Sequence, residues 1–185
     1  EDHGDAPKAL TPDRSRRRYA MGGVRPRFAA DTRANGGRVD PLFHYRGTDV
    51  RKMLDDLAGE DGSPYEGIIV EFADPETGAP AFGTLCYKAQ LLRPGETTRA
   101  MRQTANTFYT VIGGRGWTEV DGQRFEWSEN DTLIVPAYQW RRHGNADAHA
   151  PAILYSTTDE PLFRAIRQYR AQGRNENGAV VELGE

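Results

Sequence analysis

Between Thr48 and Gly59 the apolar residues Val50, Met53, Leu54 and Leu57 fall on one side of a 3.6-residue repeat, which predicts one short amphipathic helix. Thr48 is suited to cap its start, and Gly59 to end it. After the turn-forming stretch Glu60 to Pro64 the pattern changes. Short apolar runs follow one another between Gly, Pro, Asp and Asn: Gly67 to Phe72, Gly83 to Leu92, Thr107 to Ile112, Gly116 to Val120, Gln123 to Trp127, Thr132 to Val135 and Ala152 to Thr157. Such spacing predicts a mainly β, antiparallel sandwich or barrel.

Within this series, Trp117 to Trp127 reads as a hairpin. Asp121-Gly122 suits a two-residue turn that needs positive φ at both positions. That register pairs Val120 with Gln123, Glu119 with Arg124 and Thr118 with Phe125, with Val120, Phe125 and Trp127 on one face and the charges Glu119 and Arg124 meeting on the other. A closing helix is predicted after Asp159 or Glu160, with Pro161 in its first turn and Leu162, Phe163, Ile166 and Tyr169 on its apolar side. The chain thus divides into an irregular arm (1–40), a helical linker region (41–64), a β barrel with its closing helix (65–172) and a polar tail (173–185), expected to be frayed or docked on a neighbour.

The 185 residues, formally charged −3, give no reason to expect nucleic acid or a membrane surface as partner. The basic run Arg14 to Arg18 reads as a solvated or interface-facing arm. No apolar run approaches the ~20 residues that span a bilayer, and the first residues lack the order of a signal peptide. Cys86 is the single cysteine, which fits a reducing cytoplasm, and its flanks suggest a buried strand thiol. No Gly-x-Ser-x-Gly elbow and no Walker or Rossmann glycine pattern is present, so nothing supports nucleophilic catalysis, phosphoryl transfer or hydride transfer.

One segment carries candidate chemistry. Gly95 is followed after five residues by Met101, after one more by Gln103, after three by Thr107 and after six by Gly114; further on, Arg141 is the fifth residue after Pro136. This spacing resembles the two metal-binding motifs of the cupin superfamily, which implies a jelly-roll barrel. The resemblance sharpens through Asp74 to Ala81, Thr84-Leu85, Gln90, Leu92 to Gly95, Thr98-Arg99, Arg102, Thr104, Tyr109, Phe125 to Trp127, Asp131, Val135-Pro136, Trp140, and Asp159 with Pro161, Leu162 and Tyr169. Together these look like the C-terminal half of gentisate 1,2-dioxygenases and their salicylate and 1-hydroxy-2-naphthoate relatives, which are bicupin ring-cleaving enzymes. Pro41 to Tyr45 and the helix after Thr48 look like the linker between the two cupin halves.

The resemblance implies Fe(II) held by histidines of a first cupin absent from this chain, a hydroxylated aromatic acid as substrate, and a homo-oligomer, commonly a tetramer. It also implies that Met101, Gln103, Thr107 and Arg141 are a degenerate metal site, with no catalytic residue and no metal in this half. Composition agrees. His3 lies in the arm, His44 in the linker and His149 in a turn, leaving His143 beside the guanidinium of Arg141, a poor setting for a cation. Arg141 is instead a candidate anion ligand, with Arg99, Arg102, Tyr109, Tyr138, Trp140 and His143 as possible pocket residues. The competing expectation is that Arg141 only fills the barrel. A self-standing, metal-free cupin that binds a small aromatic carboxylate, or acts as a scaffold, is the alternative to a dioxygenase half.

Overall fold

A computed structural model describes residues 44–74 and 78–183. Among the described residues, the helices and strands belong to one compact unit, Gly47–Phe72 with Pro80–Glu185. In the other unit, Glu1–Arg46 with Ala73–Ala79, Tyr45 donates its phenolic proton to the Ala73 carbonyl at 2.6 Å. The expected arm (1–40), with His3 and the basic run, lies outside the described residues.

Helix α1 spans Gly47–Leu57, so Thr48 sits inside its first turn rather than capping it. Leu54 is its buried residue, packed with Ile68, Ala89, Leu91 and Ile153, while Val50 and Leu57 flank them and Met53 faces solvent. Eleven strands follow: β1 Ile68–Glu71, β2 Cys86–Leu92, β3 Met101–Gln103, β4 Thr107–Gly113, β5 Arg115–Val120, β6 Gln123–Ser128, β7 Thr132–Val135, β8 Arg141–Asn145, β9 Ala152–Thr158, β10 Ala171–Arg174 and β11 Val180–Glu182. They form two antiparallel sheets, β1-β2-β9-β4-β7 and β11-β10-β3-β8-β5-β6. Leu92, Tyr109, Val111, Val135, Ala152 and Leu154 from the first sheet meet Trp127 from the second in the core.

Strand alternation makes β2 two-faced. Ala89 and Leu91 turn outward under α1, whereas Leu92, two positions from Gln90 and four from Lys88, belongs to the core between the sheets. Register extends this inner surface across the sheet, from Lys88 to Ser156 to Tyr109 in one row and from Gln90 to Leu154 to Val111 in the next. The interior therefore grades from an apolar end, Leu92 and Ala152, to a polar end near Lys88 and Thr107.

The β5–β6 hairpin has the expected register, and Asp121 and Gly122 have φ of 46° and 84°. Its side chains depart from expectation. Glu119 accepts two hydrogen bonds from Arg142 of β8, at 3.1 and 2.8 Å, while Arg124 pairs with Glu126 at 2.7 Å and lies over the Trp117 ring. Phe125 is exposed, and the hairpin reaches the core through Trp127 with Val120 packed against it.

Helix α2, Glu160–Ala165, also differs from its amphipathic reading. Its buried residues are Glu160 and Pro161, and Leu162 and Ile166 are exposed. Glu160 turns inward to meet Lys88 at 2.8 Å and Arg164 at 2.8 Å. Asp159 precedes the helix without capping it, and its carboxylate accepts hydrogen bonds from the backbone and side-chain amides of Asn106. The tail is not frayed: β10 pairs with β3, and β11 pairs with β10. A polar strand of this length can add to an open sheet edge because ladder hydrogen bonds require no apolar side chains.

Candidate functional site

The positions marked by the motif spacing converge inside the barrel. Met101 on β3 lies opposite Arg141 on β8, and Gln103 donates from Nε2 to Thr107 Oγ1 at 2.9 Å. Tyr169, beyond α2, donates its hydroxyl proton to Gln103 Oε1 at 3.2 Å. All four motif positions are buried. Strand β8 presents Arg141 and His143 to the same face; the Arg141 guanidinium lies 5.9 Å from the Tyr109 ring centroid, and the His143 ring meets Tyr109 edge-on at 4.8 Å.

His143 is fixed by a short chain of hydrogen bonds. Trp127 donates from Nε1 to Thr118 Oγ1 at 2.9 Å, and Thr118 Oγ1 stands 2.8 Å from His143 Nδ1. The Thr118 hydroxyl can accept from Trp127 and still either donate to Nδ1 or accept from it, so this contact holds the ring in place with either imidazole tautomer. Burial, reinforced by Arg141, pulls His143 down to about 3, so the ring is neutral at physiological pH. Burial likewise raises the Tyr109 phenol, against the opposing charge of Arg141.

Lys88 and Glu160 form the other charged pair of this end. Burial disfavours both charges, but each stabilises the other: the carboxylate raises Lys88, and the ammonium, with Arg164, lowers Glu160. Cys86, nearby on β2, is buried, and loss of solvation pushes its thiol up to about 12.

The donors at the motif positions do not fit Fe(II). They are a thioether, an amide, a hydroxyl and a guanidinium that stays protonated, and the amide and hydroxyl already bond to each other. Among the described residues, no three of His, Cys, Asp or Glu gather at one point.

Of the candidate pocket residues, Tyr109, Arg141 and His143 come together inside. The other four lie elsewhere. Arg99 pairs with exposed Glu176 at 2.5 Å. Arg102, alternating with Met101 and Gln103, turns outward to Gln172 and covers the Tyr138 and Trp140 rings at 4.1 and 4.6 Å, with Arg174 also over Trp140. The motif spacing does not mark Gln90, Thr118 or Trp127 as site residues. The available signal for Gln90 was a single amide within the otherwise apolar Ala89-Gln90-Leu91-Leu92.

Residues 89–158 match the family model described as "Cupin domain". This chain carries a cupin domain. Over 134 residues it is 40% identical to the 5-aminosalicylate 1,2-dioxygenase of a Comamonas species, a match covering 71% of this chain and 35% of that enzyme. The gentisate 1,2-dioxygenase of a Haloferax species is 34% identical over 131 residues, covering 70% of the chain and 35% of the enzyme. The salicylate 1,2-dioxygenase structure from Pseudaminobacter salicylatoxidans superposes with a TM-score of 0.72 at 20% identity, covering 86% of this chain and 46% of that one. Sequence similarity to the gentisate-type dioxygenases is therefore present, and the fold is shared with a salicylate dioxygenase. The matched segment of the chain spans about a third of the length of these curated relatives.

Proposed function

We propose that this chain is the metal-free C-terminal cupin half of an Fe(II)-dependent dioxygenase that cleaves the ring of gentisate or a related hydroxylated aromatic acid in the cytoplasm. The observation that carries this reading is the donor set Met101, Gln103, Thr107 and Arg141, which does not suit iron, within a cupin whose relatives are dioxygenases roughly twice its length. In such an enzyme the iron, and with it oxygen activation, belongs to the first cupin. This half braces that cupin and builds the oligomer. The outer face of the β4–β7 edge supports a bracing role, since Phe108 lies opposite Ile134 there and both, with Ile112, are exposed. A first cupin half is the occupant that the length of the relatives suggests.

The test compares the 185-residue chain with the polypeptide made by its native source. Expected are a native polypeptide much longer than 185 residues that consumes gentisate or a related acid with Fe(II), and an isolated chain that neither consumes it nor retains stoichiometric iron. An isolated chain that turns gentisate over with one bound iron would overturn the reading. So would a native polypeptide of the present length.

A further inference from the structure

Two buried groups inside the barrel are incompletely matched, although Arg141 does reach the Tyr109 hydroxyl. Arg141 is only 3% exposed, yet it forms no ion pair with any described carboxylate. Glu160 is engaged by Lys88 and Arg164, and Glu66 is felt electrostatically at Lys88 and Tyr109 without pairing with Arg141. Gln90 is 2% exposed, and its Nε2 is the one buried side-chain polar atom among the described residues with no hydrogen-bond partner. A buried charge destabilises a fold unless it is paired, and a buried amide unless something accepts its proton. Both belong to the inner surface: Gln90 shares a row with Leu154 and Val111, and Arg141 leans over Tyr109, the next inward position along β4.

The chemistry of the missing acceptor follows from charge and shape. Lys88 and Glu160 cancel and His143 is neutral, and the Arg141 guanidinium has no described carboxylate in contact with it, so a carboxylate is the group that would complete its pairing. A guanidinium offers two parallel N–H groups that match the two oxygens of a carboxylate. Beyond Gln90 the interior is apolar, with Val111, Leu154 and Leu92.

We propose that the barrel of this cupin binds a small monocarboxylate, held by the Arg141 guanidinium and Gln90 Nε2, with its hydrocarbon part toward Val111 and Leu154. The site does not depend on where a longer enzyme holds its iron, so its failure would leave the reading of the whole polypeptide untouched.

The test is calorimetric titration and thermal melting of the chain with sodium acetate and with sodium benzoate, at ionic strength held constant by sodium chloride. Saturable binding of either acid, with a matching rise in Tm, is expected. Arg141→Gln should abolish it, and Gln90→Leu should weaken it about tenfold, as expected for loss of one hydrogen bond to a charged group. Gln90→Leu suits its Leu154 and Val111 neighbours, so it decides the matter if Arg141→Gln fails to fold. No saturable heat with either acid, a Tm rise that chloride alone reproduces, or unchanged affinity in the folded variants would overturn the proposal.

Discussion

Thr118 is the smallest member of the buried polar chain and the one on which the others depend. Its hydroxyl is completely buried, accepts from Trp127 Nε1 and hydrogen-bonds His143 Nδ1. Thr118→Val keeps the shape and removes both interactions, leaving an indole donor and an imidazole nitrogen buried without partners. A loss of about 2 kcal/mol or more is expected, read as a lower urea midpoint, while Thr118→Ser should stay near the parent. His143 adds a pH dependence of definite sign. Its folded pKa is depressed from 6.5 to about 3, so its contribution is fully present above about pH 6.5 and is lost as pH falls toward 3. Between pH 7.5 and 4.5 the parent chain should lose roughly 2–3 kcal/mol more than His143→Gln, measured by urea unfolding at both values; parallel pH profiles would show that His143 does not titrate in this way. The motif spacing made Met101, Gln103, Thr107 and Arg141 legible as a converging set, because their positions are fixed by strand ladders and turns. The partners that lock His143 were not legible. Thr118 and Trp127 read as ordinary strand residues until pairing places Thr118 opposite His143 and Gly116 opposite Trp127.

Among the elements, β8 shows how close packing uses glycine. Trp117 on β5 faces Gly144 on β8, and its indole covers the position where a Cβ would stand. Arg124 and Arg142 lie over the same ring, at 4.3 and 5.5 Å from its centroid. Gly144→Ala should displace the indole and cost about 1–3 kcal/mol, with a measurable change in tryptophan fluorescence. A parent-like melting curve would refute that account. The hairpin register was readable because Asp121-Gly122 dictates the turn, whereas the side-chain partners across β8 depend on a strand far away in sequence. The same limit explains β10 and β11. They carry no apolar alternation, and only the open edge of β3, invisible in a linear pattern, gives them a place to pair.

For the molecule as a whole, the uneven outer surface matters most. Helix α1 covers Ala89, Leu91 and Ile153, whereas Phe108, Ile112 and Ile134 on the same sheet remain open, with Ile134 65% exposed. If this face supports a first cupin half, Ile134→Asp should leave the melting temperature of the isolated chain almost unchanged but lower that of the full-length protein by several degrees. Equal effects on both would remove the face from the interface. The mainly β class and the cupin barrel could be read from strand spacing and the motif glycines. The outer face could not, since alternation separates two faces without saying which one water sees.

Cys86 turns the burial of this barrel into a clock. Its thiol is enclosed on β2 and holds its proton up to about pH 12, so an aromatic disulfide reagent can reach a reactive thiolate only when β2 parts from β9. At high reagent concentration, the labelling rate therefore becomes the opening rate of the sheet, and an interior ligand that bridges β2 and β8 would slow it without any change in the chemistry of sulfur.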